Sequence, residues 1–316
     1  MKRALLLGIS LAMGLAVAAT AHAQAKKSLV FVVNGASDFW KIAEACVAKA
    51  QGELPAYALS LKYPEQAAPA VQQRVLEDLV AGGAAGIMVS AVDPKNQVTQ
   101  LKAIAKQTVL FTTDSDAVGS DRVAYIGSSN VELGKNAGQL MLKALPNGGK
   151  CIGFVGLLGA DNAKERIQGI NEVIKGSKVQ LADVRGDEID FGRAKRNVED
   201  ALAANPDVSC MVGIYSYNTP YIYQVLKAAN KLNAIKIIGF DEDPITLGGV
   251  KEGSITGTVV QQPFEWGYQG MKLMAKFIEG DKKGIPAGGI IIVPGKVIDK
   301  DNFDAFMGDM KKMMGK

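Results

Sequence analysis

Residues 146–156 read PNGGKCIGFVG, a turn followed directly by a short apolar run. Proline, asparagine and paired glycines are typical of turns, and the apolar run is typical of a strand that is covered on both faces. Short β-rich runs alternate with helical patterns before this point, and the same alternation begins again after it. The sequence therefore predicts two consecutive α/β halves, each with a doubly wound parallel sheet, and a cleft between them.

Eleven β-rich runs carry this prediction, which is more than one open sheet of this length would hold. They are residues 29–34, 57–63, 85–91, 108–114, 123–127, 151–156, 179–185, 210–215, 235–240, 256–261 and 289–298. Helical patterns lie between them at residues 39–51, 68–81, 131–145, 163–175, 193–204, 220–229 and 264–279. Residues 306–316 have the pattern of an amphipathic surface helix.

The first 23 residues have the features of a secretory signal peptide. Lys2 and Arg3 precede an apolar run that is too short to span a membrane, and residues 21–23 read AHA, a small-x-small cleavage site. We expect cleavage after Ala23 and a soluble protein in the periplasm. A lipid anchor is not expected, because the residue after the cleavage site is Gln24 and not cysteine.

Cleavage would remove His22, the only histidine of the chain. Without imidazole, a chain cannot form Ser-His or Cys-His nucleophile pairs or a histidine-containing metal site. Loss of Lys2 and Arg3 would also lower the formal net charge from +4 to +2, which is too small for a nucleic-acid-binding surface. We therefore expect no catalytic residues, no metal, no cofactor and no nucleic-acid partner.

Three cysteines remain after cleavage, and an odd number leaves at least one thiol unpaired in an oxidising compartment. Cys46 lies in a helical pattern, whereas Cys151 and Cys210 open two strand-like runs. Burial as small apolar side chains is favoured over a Cys151–Cys210 bridge, because bridges between neighbouring parallel strands seldom have good geometry. The sequence leaves that bridge open.

Polar and aromatic residues cluster where the predicted strands end. In chain order they are Asn34, Phe39-Trp40, Asp93, Asp114-Ser115-Asp116, Tyr215-Ser216-Tyr217-Asn218, Phe240-Asp241-Glu242-Asp243 and Gln261-Gln262. Open parallel sheets bind ligands at this edge. Carboxylates and amides pair with the vicinal hydroxyls of a sugar, and aromatic rings pack on its C–H faces. A single Asp or Asn after a strand often caps a helix instead, but the whole set favours a neutral sugar ligand.

Other motifs carry less information. Residues 153–159 hold a G-x-x-G-x-x-G run, which lacks the glycine spacing of a dinucleotide-binding turn. A glycosidase pair would have to take one carboxylate from Asp114 or Asp116 and the other from Asp241 or Asp243, because each pair alone is too close. This enzyme is kept only as an alternative.

At these residues the chain resembles the periplasmic sugar-binding proteins of the ribose/galactose type, which are receptors of ABC importers. The resemblance covers essentially the whole mature chain and rests on the order and spacing of short motifs. These are Asn34, residues 37–40 (SDFW), Thr113-Asp114, Ser129-Asn130 with Gly134 and Gly138, residues 163–169 (AKERIQG), Asp190-Phe191, residues 205–207 (NPD), residues 239–241 (GFD) and residues 260–263 (VQQP).

The resemblance implies a type I periplasmic binding protein fold, in which three hinge crossovers near Ser129, Gln261 and Ile291 join two lobes. The first lobe would comprise residues 24–129 and 262–290, and the second residues 130–261 and 291–316. The positions that match the family's ligand cleft are Asn34, Phe39, Trp40, Asp114, Arg166, Phe191, Asn218, Phe240, Asp241 and Gln261. Asp116 joins this set as a strand-end carboxylate.

Two features depart from the family's ribose binders. Ser115-Asp116 stands where they have an arginine after the aspartate, and Asn34 replaces a small residue. Tyr215 and Tyr217 add unusual bulk beside Asn218. The cleft is therefore expected to hold a different pentose, a hexose or a polyol.

The resemblance implies a monomeric receptor that closes its lobes on a neutral monosaccharide or related polyol and delivers it to an ABC permease. The alternatives are a signal or chemotaxis receptor for a furanosyl autoinducer and a secreted carbohydrate-active enzyme that uses the cleft carboxylates. A DNA-binding regulator of the same fold class is disfavoured by the export signal.

Overall fold

The computed structural model describes residues 25–36 and 38–314. The predicted signal peptide, its cleavage site and Ser37 therefore lie outside the described residues. Within the described part, no helix is long and apolar enough to cross a membrane.

The first sheet is entirely parallel, with strand order β2-β1-β3-β4-β5-β11. Its strands are β1 (Lys27–Val32), β2 (Tyr57–Lys62), β3 (Gly86–Val89), β4 (Val109–Thr113), β5 (Ala124–Gly127) and β11 (Ile290–Ile292). The helices of this lobe are α1 (Lys41–Glu53), preceded by a 3-10 turn (Asp38–Trp40), α2 (Pro69–Ala81), α3 (Val98–Ala105) and α9 (Pro263–Ile278). Helices α1 and α9 bury one face of the sheet in an apolar core that includes Phe31, Trp266 and Met271.

The second sheet repeats this order as β7-β6-β8-β9-β10-β12. Its strands are β6 (Gly149–Val155), β7 (Val179–Gly186), β8 (Val208–Gly213), β9 (Lys236–Phe240), β10 (Gly257–Val260) and β12 (Lys296–Ile298). The helices are α4 (Asn130–Ala144), α5 (Asp161–Ile174), α6 (Phe191–Ala204), α7 (Asn218–Ala228), α8 (Pro244–Glu252) and α10 (Phe303–Met313). Only the edge strand β12 is antiparallel to its neighbour among the described strands. The two halves predicted from the restart at residue 146 are therefore present.

The chain crosses between the lobes after β5, after β10 and between β11 and β12. Hydrogen bonds link the first and third crossovers, because Val293 N donates to Gly127 O and Ser128 Oγ donates to Val293 O.

The third crossover corrects the predicted boundary between the lobes. The run 289–298 was expected to be one strand, with residues from 291 onward in the second lobe, but Ile291 and Ile292 pair with β5 of the first sheet. Pro294 then separates β11 from β12, since proline has no N–H to donate to a strand ladder. The first lobe thus extends to Ile292.

Helices α4 and α5 of the second lobe approach each other at two glycines. A Cβ on Gly134 would collide with the carbonyl of Arg166, and a Cβ on Gly169 would collide with the carbonyl of Val131. Only glycine at these two positions allows the helices to approach this closely. The close approach places α5, and with it the Arg166 side chain, next to the cleft.

The C-terminal helix α10 was predicted as a surface helix, but it also joins the two lobes. Phe303 is buried in the second-lobe core, whereas Met313 packs against the core of the first lobe. The three cysteines are buried free thiols. Cys151 and Cys210 are register partners on adjacent parallel strands, and burial raises the pKa of the Cys210 thiol.

Candidate functional site

A cavity of about 240 Å³, open to solvent, lies between the carboxyl ends of the two sheets. Its lining from the first lobe is Asn34, Phe39, Trp40 and Asp114, and from the second lobe and a crossover it is Asn162, Arg166, Tyr215, Ser216, Tyr217, Asp241 and Gln261. Strand ends bring these residues together, because all strands of each sheet except β12 run in the same direction. The arrangement suits a small molecule that touches both lobes.

The first-lobe wall is a hydrogen-bonded group around Asp114. The Asp114 carboxylate accepts from Ser90 Oγ at 2.8 Å and from Asn34 Nδ2 at 3.3 Å. Trp40 Nε1 donates to Asn34 Oδ1 at 2.9 Å, and Phe39 packs edge-on against the Trp40 ring. Each polar group is therefore oriented before any ligand arrives. Burial raises the pKa of Asp114, while the Ser90 hydrogen bond and the Arg166 charge lower it.

Arg166 is the one cation among the residues that line this cavity. Its Nε donates to Asn130 Oδ1 at 3.1 Å and its Nη1 to the Ile214 carbonyl at 2.8 Å, and its guanidinium lies over the Phe240 ring at 4.8 Å. Since an arginine has five N–H donors, three remain without a protein partner in the described part of the chain. They can donate to ligand oxygens.

Asp241 is the second-lobe counterpart of Asp114. It follows β9, is 7% exposed and accepts from Gln261 Nε2 at 3.3 Å. Burial raises the pKa of Asp241, and the positive charge of Arg166 opposes this shift. The cavity thus presents one carboxylate from each lobe, with a single guanidinium that stabilises both anions.

Tyrosines form the remainder of the second-lobe wall. Tyr215 Oη donates to Asn162 Oδ1 at 2.8 Å, and Tyr217 Oη donates to Asp187 Oδ1 at 2.7 Å. Asn218 completes the network, because its Nδ2 donates to Asp187 Oδ2 at 2.8 Å and its Oδ1 accepts from Tyr215 N at 3.1 Å. Both phenol groups are therefore held in place by the protein.

A family model for the periplasmic binding protein domain matches residues 29–282. The chain belongs to the periplasmic binding protein family. This match confirms the resemblance and the two-lobed fold that the sequence predicted, and with them the class of solute-binding proteins.

Individual relatives cover nearly the whole chain. The ribose import binding protein RbsB of Haemophilus influenzae is 28% identical over 89% of this chain and 95% of its own length. RbsB of Salmonella typhimurium is 25% identical over 86% of this chain and 91% of its own. Among solved structures, an ABC transporter solute-binding protein from Burkholderia graminis in complex with D-arabinose superposes with a TM-score of 0.80 at 28% identity. The superposition covers 88% of this chain and 97% of the Burkholderia graminis protein. These relatives of the family are binding proteins.

Four of the predicted site residues do not line the cavity. Asn218 and Phe240 are 1% and 0% exposed and lie beneath its surface, where they support Tyr215 and Arg166. Phe191 is 54% exposed and packs edge-on against Tyr217, outside the lining. Asp116 lies apart from the cavity, because Arg122 holds its carboxylate through two hydrogen bonds of 2.5 and 2.6 Å. The other seven predicted residues line the cavity.

Two of the three residues that sequence reasoning did not place at the site, Ser90 and Asp187, lie directly after strands. Ser90 follows β3 and Asp187 follows β7, but the predicted runs 85–91 and 179–185 ended at other residues, so the rule did not select either one. Asn162 lies in the first turn of α5, beside the cleft, and had no signal beyond its type. Among the described residues, no group of three or more acidic, cysteine or histidine side chains could hold a metal ion.

Proposed function

We propose that this chain captures a neutral monosaccharide or polyol in the cavity between its lobes and delivers it to the permease of an ABC importer. The observation that carries the proposal is the pairing of Asp114 and Asp241 across the cavity, with Arg166 beside both and Trp40 and Phe39 on the first-lobe wall. Carboxylates and a guanidinium pair with vicinal hydroxyls, and the rings offer an apolar surface for C–H groups. The names of the relatives, which refer to ribose and D-arabinose, support this ligand class.

The charge of the cavity disfavours anionic sugars. Two carboxylates and one guanidinium line it, so the ionised form has a net charge of −1. A phosphate or uronate would add a further negative charge in a partly desolvated place, where like-charge repulsion is strong. The ligand is therefore uncharged.

Ligand binding closes the lobes, because a sugar between Asp114 and Asp241 has more partners in the closed form than in the open form. The three crossovers serve as hinges. The protein acts in the periplasm as a monomer after cleavage behind Ala23. We expect it to bind its ligand without catalysing a reaction, since its relatives are named as binding proteins.

Titration of the exported chain with a panel of neutral monosaccharides and polyols tests the proposal, with thermal unfolding and calorimetry as readouts. A true ligand at about a hundredfold excess over its Kd stabilises the protein by about 2.7 kcal/mol. Asp241→Ala should abolish this shift while the variant remains folded. Sugar phosphates and uronic acids serve as the charged comparison. If none of the neutral compounds stabilises the protein, the proposal is contradicted.

A further inference from the structure

The tyrosine wall of the second lobe lies directly on the backbone at the end of β6. A Cβ built on Gly156 would come within 2.7 Å of Tyr217 Oη and 2.8 Å of the Tyr215 ring. Only a residue without a side chain leaves room for both rings. The two phenols consequently occupy cleft volume next to Asn162 and cannot move toward the strand.

The hydroxyl groups of the two rings are already engaged. Tyr217 Oη donates to Asp187 and Tyr215 Oη donates to Asn162, so neither phenol has an O–H free to donate to a ligand. Burial and the Asp187 carboxylate raise the pKa of Tyr217, so this phenol stays protonated and keeps donating. The wall is rigid and takes up space.

Asp187 connects this wall to the loop after β7. It is 1% exposed and lies outside the cavity lining, and it accepts from Tyr217 Oη, Asn218 Nδ2 and Ile189 N. Glu188 and Ile189 have φ values of 57° and 61°, a left-handed conformation that is rare for a β-branched residue. The strained turn persists because the Asp187 hydrogen bonds hold it, and the same carboxylate sets the position of Tyr217.

We propose that the Tyr217 ring sets a size limit on the ligand and that Asp187 is the positioning residue behind it. The favoured ligand is a compact pyranose without an exocyclic hydroxymethyl group, that is, a pentose in preference to the hexose of the same ring configuration. This inference rests on the proposed function, since it names the ligand class of the same cavity.

Three pairs of sugars differ only in that hydroxymethyl group: D-xylose and D-glucose, L-arabinose and D-galactose, and D-ribose and D-allose. Calorimetric Kd values for each pair give a pentose-to-hexose preference. For the pair that the protein binds, Tyr217→Ala should reduce this preference at least about tenfold, the scale of discrimination that one small group provides in a pocket. Tyr217→Phe, which keeps the ring, should retain most of it.

Asp187→Asn tests the positioning role. It should reduce the preference in the native background and change it less than about twofold in the Tyr217→Ala background, because residues that act through one another are not additive. Tyr223→Ala is the matched control: Tyr223 lies on α7, packs on the second-lobe core and does not line the cavity. It should leave the preference unchanged.

The outcomes separate the two proposals. If the native protein binds no neutral sugar or polyol, the proposed function fails and the size limit fails with it. If the protein binds such a ligand but prefers a hexose or an inositol, or if Tyr217→Ala leaves the preference unchanged, only the size limit is overturned. If Asp187→Asn lowers the melting temperature without changing the preference, the positioning role is overturned.

Discussion

The two lobes place an aspartate at the same point of the same fold, yet they surround it differently. Asp114 and Asp241 each follow the fourth strand of their lobe in chain order, and both have a positive φ, 57° and 63° respectively. Asp114 is held by neutral donors from its own lobe, whereas Asp241 is held by Gln261 of a crossover and is followed by a second acidic residue, Glu242. The repeated topology sets the position of each carboxylate, and its neighbours set its chemistry.

The comparison also shows that the two anions share one cation. Arg166 belongs to the second lobe, and its charge lowers the pKa of both aspartates against the effect of burial. The first lobe contributes no cationic side chain to the cavity lining. The following substitutions test how far each carboxylate depends on this shared partner.

Arg166→Ala should have the largest effect on affinity. It leaves two buried carboxylates without a cation and removes the ligand's guanidinium partner, at a cost of about 2–5 kcal/mol, or at least about 30-fold in Kd. Calorimetry measures the change. Arg193→Ala, at an exposed arginine on α6, is the control and should bind normally. A loss below about fivefold for Arg166→Ala would show that the aspartates do not share this partner.

Asp114→Asn and Asp241→Asn compare the two lobes directly. Each should weaken binding by about 1.5–3 kcal/mol, because each replaces a charged hydrogen-bond acceptor with a neutral one. Their effects on Glu242 should differ. Asp241 is one cause of the raised pKa of Glu242, so only Asp241→Asn should lower that pKa, as measured by NMR titration of the carboxyl carbons. Equal shifts in both variants would contradict this difference.

Asp116→Ala separates the neighbouring carboxylates of the first lobe. The Asp116–Arg122 pair is mostly buried and bidentate, so its loss should reduce the free energy of unfolding by about 2 kcal/mol. Denaturant unfolding measures this value. Affinity for the ligand should change less than about twofold, since Asp116 does not line the cavity. If the variant instead loses affinity strongly while its stability is unchanged, Asp116 contributes to ligand binding.

Glu242→Gln should change ligand affinity least, because Glu242 does not line the binding cavity, and its effect on stability should depend on pH. Glu242 lies beside a small cavity between the lobes that is also lined by Glu265, Lys296 and Asp309, and its buried Oε2 has no hydrogen-bond partner in the described structure. Burial, together with the Asp241 charge, raises its pKa to about 8. In the unfolded chain this carboxyl group has a pKa of about 4.3 and loses its proton at lower pH than in the native protein. The free energy of unfolding should therefore fall as the pH rises from about 4.3 to 8.

This loss should not exceed about 1.4 kcal/mol per pH unit, the limit for one proton. Denaturant unfolding at a series of pH values measures it, and the Glu242→Gln variant should lack this component of the slope. Parallel curves for the two proteins would mean that the carboxyl group is solvated. Glu265→Gln, at another acidic residue beside the same cavity, is the control and should keep the slope.

Much of the fold could be predicted from the chain because its signals are local. Each of the ten apolar runs before residue 262 overlaps one observed strand, since buried parallel strands are short, continuous and bounded by turn residues. The run 289–298 could not be divided in the same way. Pro294-Gly295 marks a break inside it, but only pairing with β5 and β10 assigns the two halves to different sheets.

The strand-end rule likewise located the site but not its members. It selected Asp114, Asp116 and Asp241 on equal terms, because a position after a strand is a property of the chain. Whether a carboxylate reaches the cavity depends on groups that are distant in sequence or on the direction of a loop. Arg122 binds the Asp116 carboxylate outside the cavity, whereas hydrogen bonds from Asn34 and Ser90 hold the Asp114 carboxylate in the cavity lining.

The restart at residues 146–156, the alternating runs and the strand-end residues are patterns of neighbouring residues, so the sequence alone establishes two α/β lobes and a polar cleft. The single shared cation, the buried Asp187 behind Tyr217 and the division between lining and supporting residues arise from contacts between segments that folding brings together. Such contacts depend on the packing of whole lobes, which no local pattern of residues records.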